Sequence, residues 1–269
     1  MYILPKLELL DGIPVRIFEA GHGDVIVFLH GFCLNAGTWE PLYTELSKDY
    51  KIIAIDLPGH GFSGVIPGMH NLDEIASWVN KVLRKLGIEK FVMVGHSLGG
   101  YIAIAYTEKF PAKILGLGLF HSLSAADTLA KIDARNKSIR FIQTSGLEPF
   151  LKNFYPSLYQ NLHPEMMERY IELCREKPLE TAVIAMTQAM RDRPDRKYLL
   201  TQLKVPVLYV MSGRDELIPK TVARDELTLA KYGIAVYFEN AGHLGMMEET
   251  DKSLAAIKTL MDASKRFKL

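Results

Sequence analysis

The stretch that decides the fold is Val92-Met93-Val94-Gly95-His96-Ser97-Leu98-Gly99-Gly100. Its apolar first part predicts a buried strand, and the residues after Ser97 include the apolar spacing of a helix, which Pro111 ends. Glycines stand two residues before and two residues after the serine. A strand-to-helix turn this tight leaves no room for side chains at those two positions. The pattern predicts a strained turn that presents the Ser97 hydroxyl as a nucleophile, although ordinary glycine-rich turns can share it.

Apolar, β-prone runs alternate with helical patterns along most of the 269-residue chain. This alternation predicts an α/β protein with a doubly wound sheet, and Asp11-Gly12 predicts a hairpin turn between the first two strands. The predicted strands are Leu7–Leu10, Pro14–Glu19, Asp24–His30, Lys51–Asp56, Lys90–Gly95, Ile114–His121, Val205–Met211 and Ala235–Glu239. The predicted helices between them are Trp39–Lys48, Leu72–Leu86, Leu98–Phe110, Ala223–Lys231 and Asp251–Lys265.

Residues 122–204 interrupt this alternation, because they contain several helical patterns and no convincing strand. The segment is far longer than a crossover needs, which is about a dozen residues with its helix. We expect an inserted helical cap, since insertions at the carboxyl edge of an open sheet overhang the ligand crevice. A surface elaboration remote from the site is the alternative. The predicted domains are a core of residues 1–121 and 205–269 and a cap of residues 122–204.

Composition and motifs argue against several classes of function. The formal net charge of +1 gives no indication of nucleic-acid binding. Cys33 and Cys174 do not make a disulfide framework, so a reducing cytoplasm is expected. The N-terminus lacks the features of a signal peptide, and no apolar run is long enough to cross a bilayer, so no membrane association is expected. Without HExxH, CxxC, GxGxxG or Walker patterns, we expect no metal and no cofactor.

A serine nucleophile needs a base to accept its proton. His243 is the predicted base, because it follows the last predicted strand and Gly242 lets the backbone bend toward Ser97. Asp215 follows the preceding predicted strand, and its carboxylate is predicted to orient the base. A turn-capping or helix-capping role is the alternative for this aspartate. The chain order Ser97, Asp215, His243 is the order in which this architecture places the nucleophile, the orienting carboxylate and the base.

The developing oxyanion needs backbone donors, and two are predicted. One is the N–H of Leu98, directly after the nucleophile, and the other is the N–H of Phe32 after the third strand. Gly31 allows the backbone to approach closely, and Cys33 is expected to line the pocket. His121 either borders the pocket or is a satisfied structural histidine. Gly31, Cys33 and His121 are therefore the predicted substrate-binding residues.

The predicted cap carries side chains of two kinds that bear on a substrate. Arg191, Arg193 and Arg196 either hold a carboxylate of the substrate or, as we prefer, form a solvated surface with Asp192 and Asp195 as interleaved partners. Most of the cap's aromatic and methionine side chains are expected to pack the cap onto the core, and the remainder to form an apolar pocket for the acyl or alcohol part of a substrate. The candidates are Phe141, Phe150, Phe154, Tyr155, Tyr159, Met166, Met167, Met186 and Met190.

Taken together, the motifs resemble those of the α/β-hydrolase superfamily. The resemblance rests on His30-Gly31-Phe32, on Asp56 to Ser63, on Gly95 to Gly100, on Asp215 to Pro219 and on Gly242-His243, in the order that relatives share. It implies an eight-stranded, mostly parallel sheet with helices on both faces, a Ser-Asp-His triad and a cap between strands six and seven. It also implies that Asp56 to Ser63 is a structural loop beside the site. Serine at position 97 argues against the branches that use an aspartate nucleophile.

The expected function is hydrolysis of small to medium carboxylic esters with apolar substituents, through an acyl-enzyme and without a cofactor. The expected partner is a small-molecule substrate, and the expected assembly is a monomer or homodimer. Three alternatives stay open at this point. The first is another reaction of the same triad, either hydrolysis of a carbon–carbon bond or perhydrolysis of a short acid. The second is a ligand receptor of this fold with little turnover, and the third is a catalytically silent protein.

Overall fold

The computed structural model describes residues 4–68 and 71–267, where eight strands form one sheet. The predicted core ranges therefore include a few residues, namely 1–3, 69, 70, 268 and 269, that lie outside the described part. The strands are β1 (Pro5–Leu10), β2 (Ile13–Ala20), β3 (Val25–Leu29), β4 (Lys51–Ile55), β5 (Phe91–His96), β6 (Ile114–Phe120), β7 (Val207–Ser212) and β8 (Gly233–Phe238). They lie in the order β1-β2-β4-β3-β5-β6-β7-β8. Because only β2 runs antiparallel to its neighbours, the predicted mostly parallel sheet is confirmed.

Helices cover both faces of this sheet. The α-helices of the described ranges, including those of the segment between β6 and β7, are α1 (Glu40–Leu46), α2 (Leu72–Lys85), α3 (Leu98–Lys109), α4 (Leu129–Ser145), α5 (Leu147–Phe154), α6 (Pro164–Arg175), α7 (Glu180–Arg191), α8 (Lys197–Gln202), α9 (Lys220–Leu227), α10 (Gly245–Glu248) and α11 (Thr250–Ser264). Val27 and Leu29 of β3 pack in one cluster with α2 and α3, whereas Ile26 and Phe28 pack in the other with α1 and α11. Alternate residues of a central strand are thus buried on opposite faces, as expected of a parallel sheet between helices. No helix in the described ranges is long and apolar enough to cross a membrane.

The predicted hairpin between the first two strands is confirmed. Leu10 pairs with Ile13 across the turn. Asp11 and Gly12 both have positive φ, 52° and 81°. This combination is typical of the two-residue turn that matches the twist of antiparallel strands.

The segment between β6 and β7 consists of helices α4 to α8 with a short 3-10 helix, Tyr155–Leu158. It is attached to the core at several points. The Tyr155 hydroxyl donates to the carbonyl oxygen of Cys33 at 3.0 Å, and the N–H groups of Gln160 and Asn161 donate to Glu248 at 2.9 Å. These contacts join the helical segment to the loop after β3 and to α10. Its role as a cap stays a prediction.

The loop after β4 is organised by buried polar groups. The Asp56 carboxylate accepts hydrogen bonds from Arg16 Nε at 2.5 Å, from Ala36 N at 2.8 Å and from Phe62 N at 3.0 Å. His60 in the same loop is fully buried, with Nδ1 3.0 Å from the carbonyl oxygen of Pro58. Burial lowers the pKa of His60 to about 4. The ring is therefore neutral in the folded protein near pH 7.

The turn between β5 and α3 is closed by direct backbone packing. Ser97 has φ 51° and ψ −113°, a region that residues with side chains rarely occupy. A Cβ atom on Gly95 would lie 2.2 Å from the carbonyl oxygen of Gly99, and one on Gly99 would lie 2.3 Å from the carbonyl oxygen of Leu29 in β3. The two glycines of the motif are therefore required because the backbone leaves no space for a side chain.

Replacing Gly95 by alanine tests this packing. We expect Gly95→Ala to lower the free energy of unfolding by about 2–3 kcal/mol, because overpacking against neighbouring atoms costs energy of this order. Gly116→Ala in β6 is the matched control, since its added Cβ would meet the flexible end of Leu260 at 3.2 Å. Denaturant unfolding measures both variants. An equal loss in the two would contradict the argument.

His60 should make the stability of the protein depend on pH. An unfolded histidine takes up a proton below its ordinary pKa of about 6.5, whereas folded His60 does so only near pH 4. Between these values the unfolded state binds more protons, so this group lowers the free energy of unfolding by up to about 1.4 kcal/mol for each pH unit of acidification.

The variant His60→Gln removes that contribution. We expect the slope of unfolding free energy against pH, measured by denaturant unfolding between about pH 6 and pH 4.5, to be smaller than in the wild type by roughly that amount. His22→Gln changes an exposed histidine and should keep the wild-type slope. A His60→Gln slope equal to that of the wild type would show that His60 is not held neutral.

Candidate active site

Ser97 lies between the last residue of β5 and the first residue of α3. Its N–H donates to the carbonyl oxygen of Phe120 at 3.0 Å, and its carbonyl oxygen accepts from Ser122 Oγ at 2.7 Å and from Gly100 N at 2.9 Å. These bonds hold the strained backbone on both sides of the residue. Ser97 is only partly buried and lines a cavity. Its hydroxyl is therefore accessible to a small ligand.

Asp215 and His243 follow β7 and β8 and meet at the carboxyl edge of the sheet. His243 Nδ1 lies 2.8 Å from Asp215 Oδ2, and both side chains are almost fully buried. The other oxygen, Asp215 Oδ1, accepts from the N–H groups of Leu217 at 2.9 Å and Ile218 at 3.0 Å. One oxygen therefore caps the loop and the other contacts the ring, a geometry that is compatible with both interpretations of this aspartate, and its catalytic role stays a prediction.

The electrostatics of Asp215 favour its ionised form. Burial alone would raise the pKa of the carboxyl group. The charge interaction with His243 and the contacts with the rings of His121 and His243 outweigh burial, and they hold the pKa of Asp215 well below its ordinary value. A negative charge thus lies beside the His243 ring at any pH near neutrality.

The backbone of His243 is held by hydrogen bonds at both its N–H and its carbonyl oxygen. Its N–H donates to the carbonyl oxygen of Leu158 at 2.9 Å, and His96 Nε2 lies 2.8 Å from its carbonyl oxygen. With Nδ1 at Asp215, Nε2 is the nitrogen left to meet a substrate or nucleophile. Within residues 4–68 and 71–267, the Ser97 hydroxyl and this ring are not joined by a hydrogen bond. Their contact stays a prediction.

His96, His121 and His243 form a cluster of rings under the site. The ring centroid of His243 lies 4.7 Å from that of His96 and 5.8 Å from that of His121. Burial lowers the pKa of His121 and holds the pKa of His96 well below its ordinary value, so both rings are neutral. No group of three or more side chains in the described part of the chain has an arrangement that could hold a metal ion.

The two predicted oxyanion donors come from the start of α3 and from the loop after β3. Leu98 is the first residue of α3, where backbone N–H groups have no partner inside the helix. Phe32 follows β3. Across the described ranges, neither N–H group has a protein acceptor. Gly31 precedes Phe32, and a Cβ atom there would lie 2.4 Å from His96 Nδ1, so close packing requires this glycine too.

A cavity of about 300 Å³ opens beside Ser97. Phe32 lines the cavity, whereas the predicted substrate-binding residues Gly31, Cys33 and His121 are buried and are not among the described residues that line it. His121 Nδ1 lies 3.4 Å from Asp215 Oδ2. The lining of the cavity combines apolar and polar side chains, namely Phe32, Ser97, Tyr101, Lys131, Ala134, Arg135, Ser138, Phe150, Phe154, Thr187, Met190, Glu216, Leu217 and Ile218.

Several of these lining residues escaped the sequence analysis. Lys131, Arg135 and Ser138 of α4 and Thr187 of α7 reach the cavity. The spacing of the first three, i, i+4 and i+7, places them on one helix face and was the available signal. Ser122, which supports Ser97 from behind, carried no signal of its own in the sequence.

The expectation for the arginine cluster was wrong for two of its three members. Arg191 pairs with its neighbour Asp192 as expected. Arg193 and Arg196 are only 6% and 3% exposed, so they are not solvated. Arg193 pairs with Asp127 at 2.7 Å, and Arg196 pairs with Asp73 and Glu108, each at 2.7 Å. These arginines tie the segment after α7 to α2, α3 and the segment before α4.

Comparisons with known proteins give relatives that cover most of the chain. A dihydrolipoyllysine-residue acetyltransferase component of an acetoin cleaving system from Pseudomonas putida is 26% identical over 262 residues, which is 92% of this chain, and the chain spans 66% of that relative's length. A pimeloyl-[acyl-carrier protein] methyl ester esterase from Shewanella sp. is 27% identical, over 90% of this chain and 92% of the relative.

Among solved structures, a thermophilic esterase from Thermogutta terrifontis superposes with a TM-score of 0.86 at 26% identity, covering 94% of both chains. Named esterases occur both among the relatives found by sequence and among the solved structures, which supports a hydrolase as the class of enzyme. A family model of the alpha/beta hydrolase fold matches residues 24–195, more than half of the chain. The chain therefore belongs to the α/β-hydrolase fold family.

Proposed function

We propose that the protein cleaves small to medium carboxylic esters with apolar substituents, with Ser97 as nucleophile, His243 as base and Asp215 as the orienting carboxylate. The observation that carries the proposal is the 2.8 Å contact between His243 Nδ1 and Asp215 Oδ2 at the sheet edge that also carries Ser97. The esterases among the relatives support an ester as the substrate.

In the first half of the reaction, Ser97 Oγ attacks the carbonyl carbon of the ester and its proton moves to His243 Nε2. The negative charge of Asp215 stabilises the imidazolium ion that results. The carbonyl oxygen becomes an oxyanion and accepts hydrogen bonds from the N–H groups of Phe32 and Leu98. Both amides have no other acceptor among the described residues, which supports this role.

The tetrahedral intermediate then collapses. The bond between the carbonyl carbon and the alcohol oxygen breaks, and His243 gives its proton to the leaving alcohol. A water molecule attacks the acyl-enzyme while His243 takes one of its protons. That proton returns to Ser97 Oγ as the carboxylic acid leaves, so the enzyme ends as it began.

The size and lining of the cavity support a small or medium substrate with apolar parts. Its volume of about 300 Å³ is at the lower end of the range for small-molecule sites. Phe32, Phe150 and Phe154 form an aromatic wall, in which the Phe32 ring is 5.6 Å from that of Phe154 and edge-on to it. Met190 and Ile218 add aliphatic surface.

The nucleophile is tested by Ser97→Ala. We expect kcat/KM for p-nitrophenyl butyrate to fall by at least about a thousandfold, because loss of the nucleophile removes the acyl-enzyme route. Ser145→Ala, at the exposed end of α4, is the control and should keep wild-type turnover. Turnover by the Ser97→Ala protein within tenfold of the wild type would contradict the proposal.

The carboxylate is tested by Asp215→Asn. We expect kcat to fall by about a thousandfold or more, because the imidazolium ion loses its counter-charge and the ring loses its orientation. Asp225→Asn on α9 changes an exposed aspartate and should leave kcat unchanged. Circular dichroism establishes that both variants are folded, and a folded Asp215→Asn protein with wild-type kcat would exclude the assigned role.

A further inference from the structure

One face of α4 carries positive charge toward the cavity that contains Ser97. Lys131, Ala134, Arg135 and Ser138 are spaced as successive turns of a helix and all line the cavity. Two cationic side chains thus lie on the wall of a pocket that otherwise consists largely of apolar groups. Buried or half-buried charges of one sign usually have a partner inside the protein.

The partner of Arg135 is shared. Arg135 Nε donates to Asp127 Oδ2, and the side chain of Asp127 is fully buried. The other oxygen of Asp127 accepts from Arg193, whose remaining contacts are the carbonyl oxygens of Ala125 and Met190 and the ring of Tyr101. Two guanidinium groups therefore share one carboxylate, and this unit keeps a net positive charge. Arg193 is buried, whereas Arg135 lines the cavity, so the excess positive charge of this unit is exposed to the cavity at Arg135.

Lys131 adds a second positive charge beside it. Lys131 Nζ donates to the carbonyl oxygen of Leu217 at 2.8 Å, and in the part of the chain that the structure describes it pairs with no carboxylate. Burial lowers the pKa of Lys131, and the charges of Arg135 and Arg193 lower it further, against the opposite effect of Asp127 and Asp215. The ammonium group has two further protons to donate.

The negative groups near this face do not neutralise it. Asp215 is committed to His243 and to the loop that it caps. Glu216 is the one carboxylate among the described lining residues, but it is exposed and forms no ion pair with Lys131 or Arg135. Among the described residues that line the cavity, no carboxylate is therefore paired with either Lys131 or Arg135.

We infer that Lys131 and Arg135 form a carboxylate-binding subsite for the end of the substrate that is remote from the scissile ester bond. This inference rests on the proposed esterase function and extends it to a substrate class, namely esters that carry a free carboxylate beyond a short apolar spacer. The aromatic and aliphatic wall contacts the spacer, and the carboxylate accepts hydrogen bonds from Lys131 Nζ and the Arg135 guanidinium. One added negative charge compensates the excess of positive charge on this wall.

The test compares matched substrates. Monomethyl esters of unbranched dicarboxylic acids with four to seven carbons carry the anion, and their neutral partners have a terminal carboxamide in its place. The measured quantity is the ratio of kcat/KM for the anionic ester to that for the neutral ester of equal length. We expect this ratio to exceed about ten in the wild type, since a hydrogen bond to a charged group contributes an amount of this order.

Lys131→Met and Arg135→Met should each lower this ratio about tenfold. Lys131→Glu should bring it below one. Lys137→Met is the matched control on α4, because its side chain is 69% exposed and pairs with Asp133. Arg135→Met removes a partner of buried Asp127 and can fail to fold. Lys131 forms no ion pair with any residue that the structure describes, so its variants keep the test valid. An unchanged ratio in folded Lys131→Met overturns the inference and leaves the esterase proposal intact.

Binding to the Ser97→Ala protein separates the two proposals. Titration calorimetry with adipate monomethyl ester and with its carboxamide analogue measures recognition without turnover. Tighter binding of the anion, reduced about tenfold by adding Lys131→Met, supports the subsite even if the wild type hydrolyses none of these esters. In that case the esterase proposal alone fails. Equal binding of the two compounds, or no binding of either, overturns the subsite.

Discussion

The direct contact of backbone with backbone around Ser97 is the constraint on which the rest of the site depends. The absence of a side chain at Gly99 lets the start of α3 press against the end of β3, where a Cβ atom would meet the carbonyl oxygens of Leu29 and His30 at 2.3 and 2.7 Å. This approach brings the loop after β3 next to the first turn of α3. The two amides proposed to bind the oxyanion belong to these two segments, so the close packing at Gly99 helps to set their relative position.

His96 extends this constraint to the loop that carries the proposed base. Sequence analysis gives it no role, because it occupies the variable position of the motif. In the structure its Nε2 reaches the carbonyl oxygen of His243 at 2.8 Å, and its Nδ1 and Cε1 atoms leave no room for a side chain at Gly31. The loops after β3, β5 and β8 therefore meet around one neutral, fully buried imidazole.

The parts of the protein that follow from short-range rules could be predicted from the sequence. The glycine-flanked turn, the Asp11-Gly12 hairpin and the apolar strands each depend on residues close in the chain. The cavity face of α4 could not be predicted in this way. Ile139 and Ile142 are the buried residues of that helix, so its apolar pattern does not fix which side points inward, and the position of Lys131 and Arg135 depends on packing against distant elements.

The ion pairs of Arg193 and Arg196 could not be predicted from the sequence either. Acidic neighbours in the sequence suggested local, solvated pairs. The actual partners, Asp127, Asp73 and Glu108, lie far away along the chain. Because burial removes the charges from water, these pairs need closer contact and better geometry than surface pairs do. A sequence gives the number of opposite charges nearby but not which of them the fold brings within reach.

The two oxygens of Asp215 have a consequence for how a proton can travel. Oδ1 is occupied by two backbone donors and Oδ2 faces two imidazole rings, so the carboxylate has little capacity left to receive a hydrogen of its own. In the proposed reaction the hydrogen released by the serine therefore makes a single hop and stops on the ring of His243. The aspartate then stays ionised as a fixed counter-ion, and no proton is transferred to a buried carboxylate at any step.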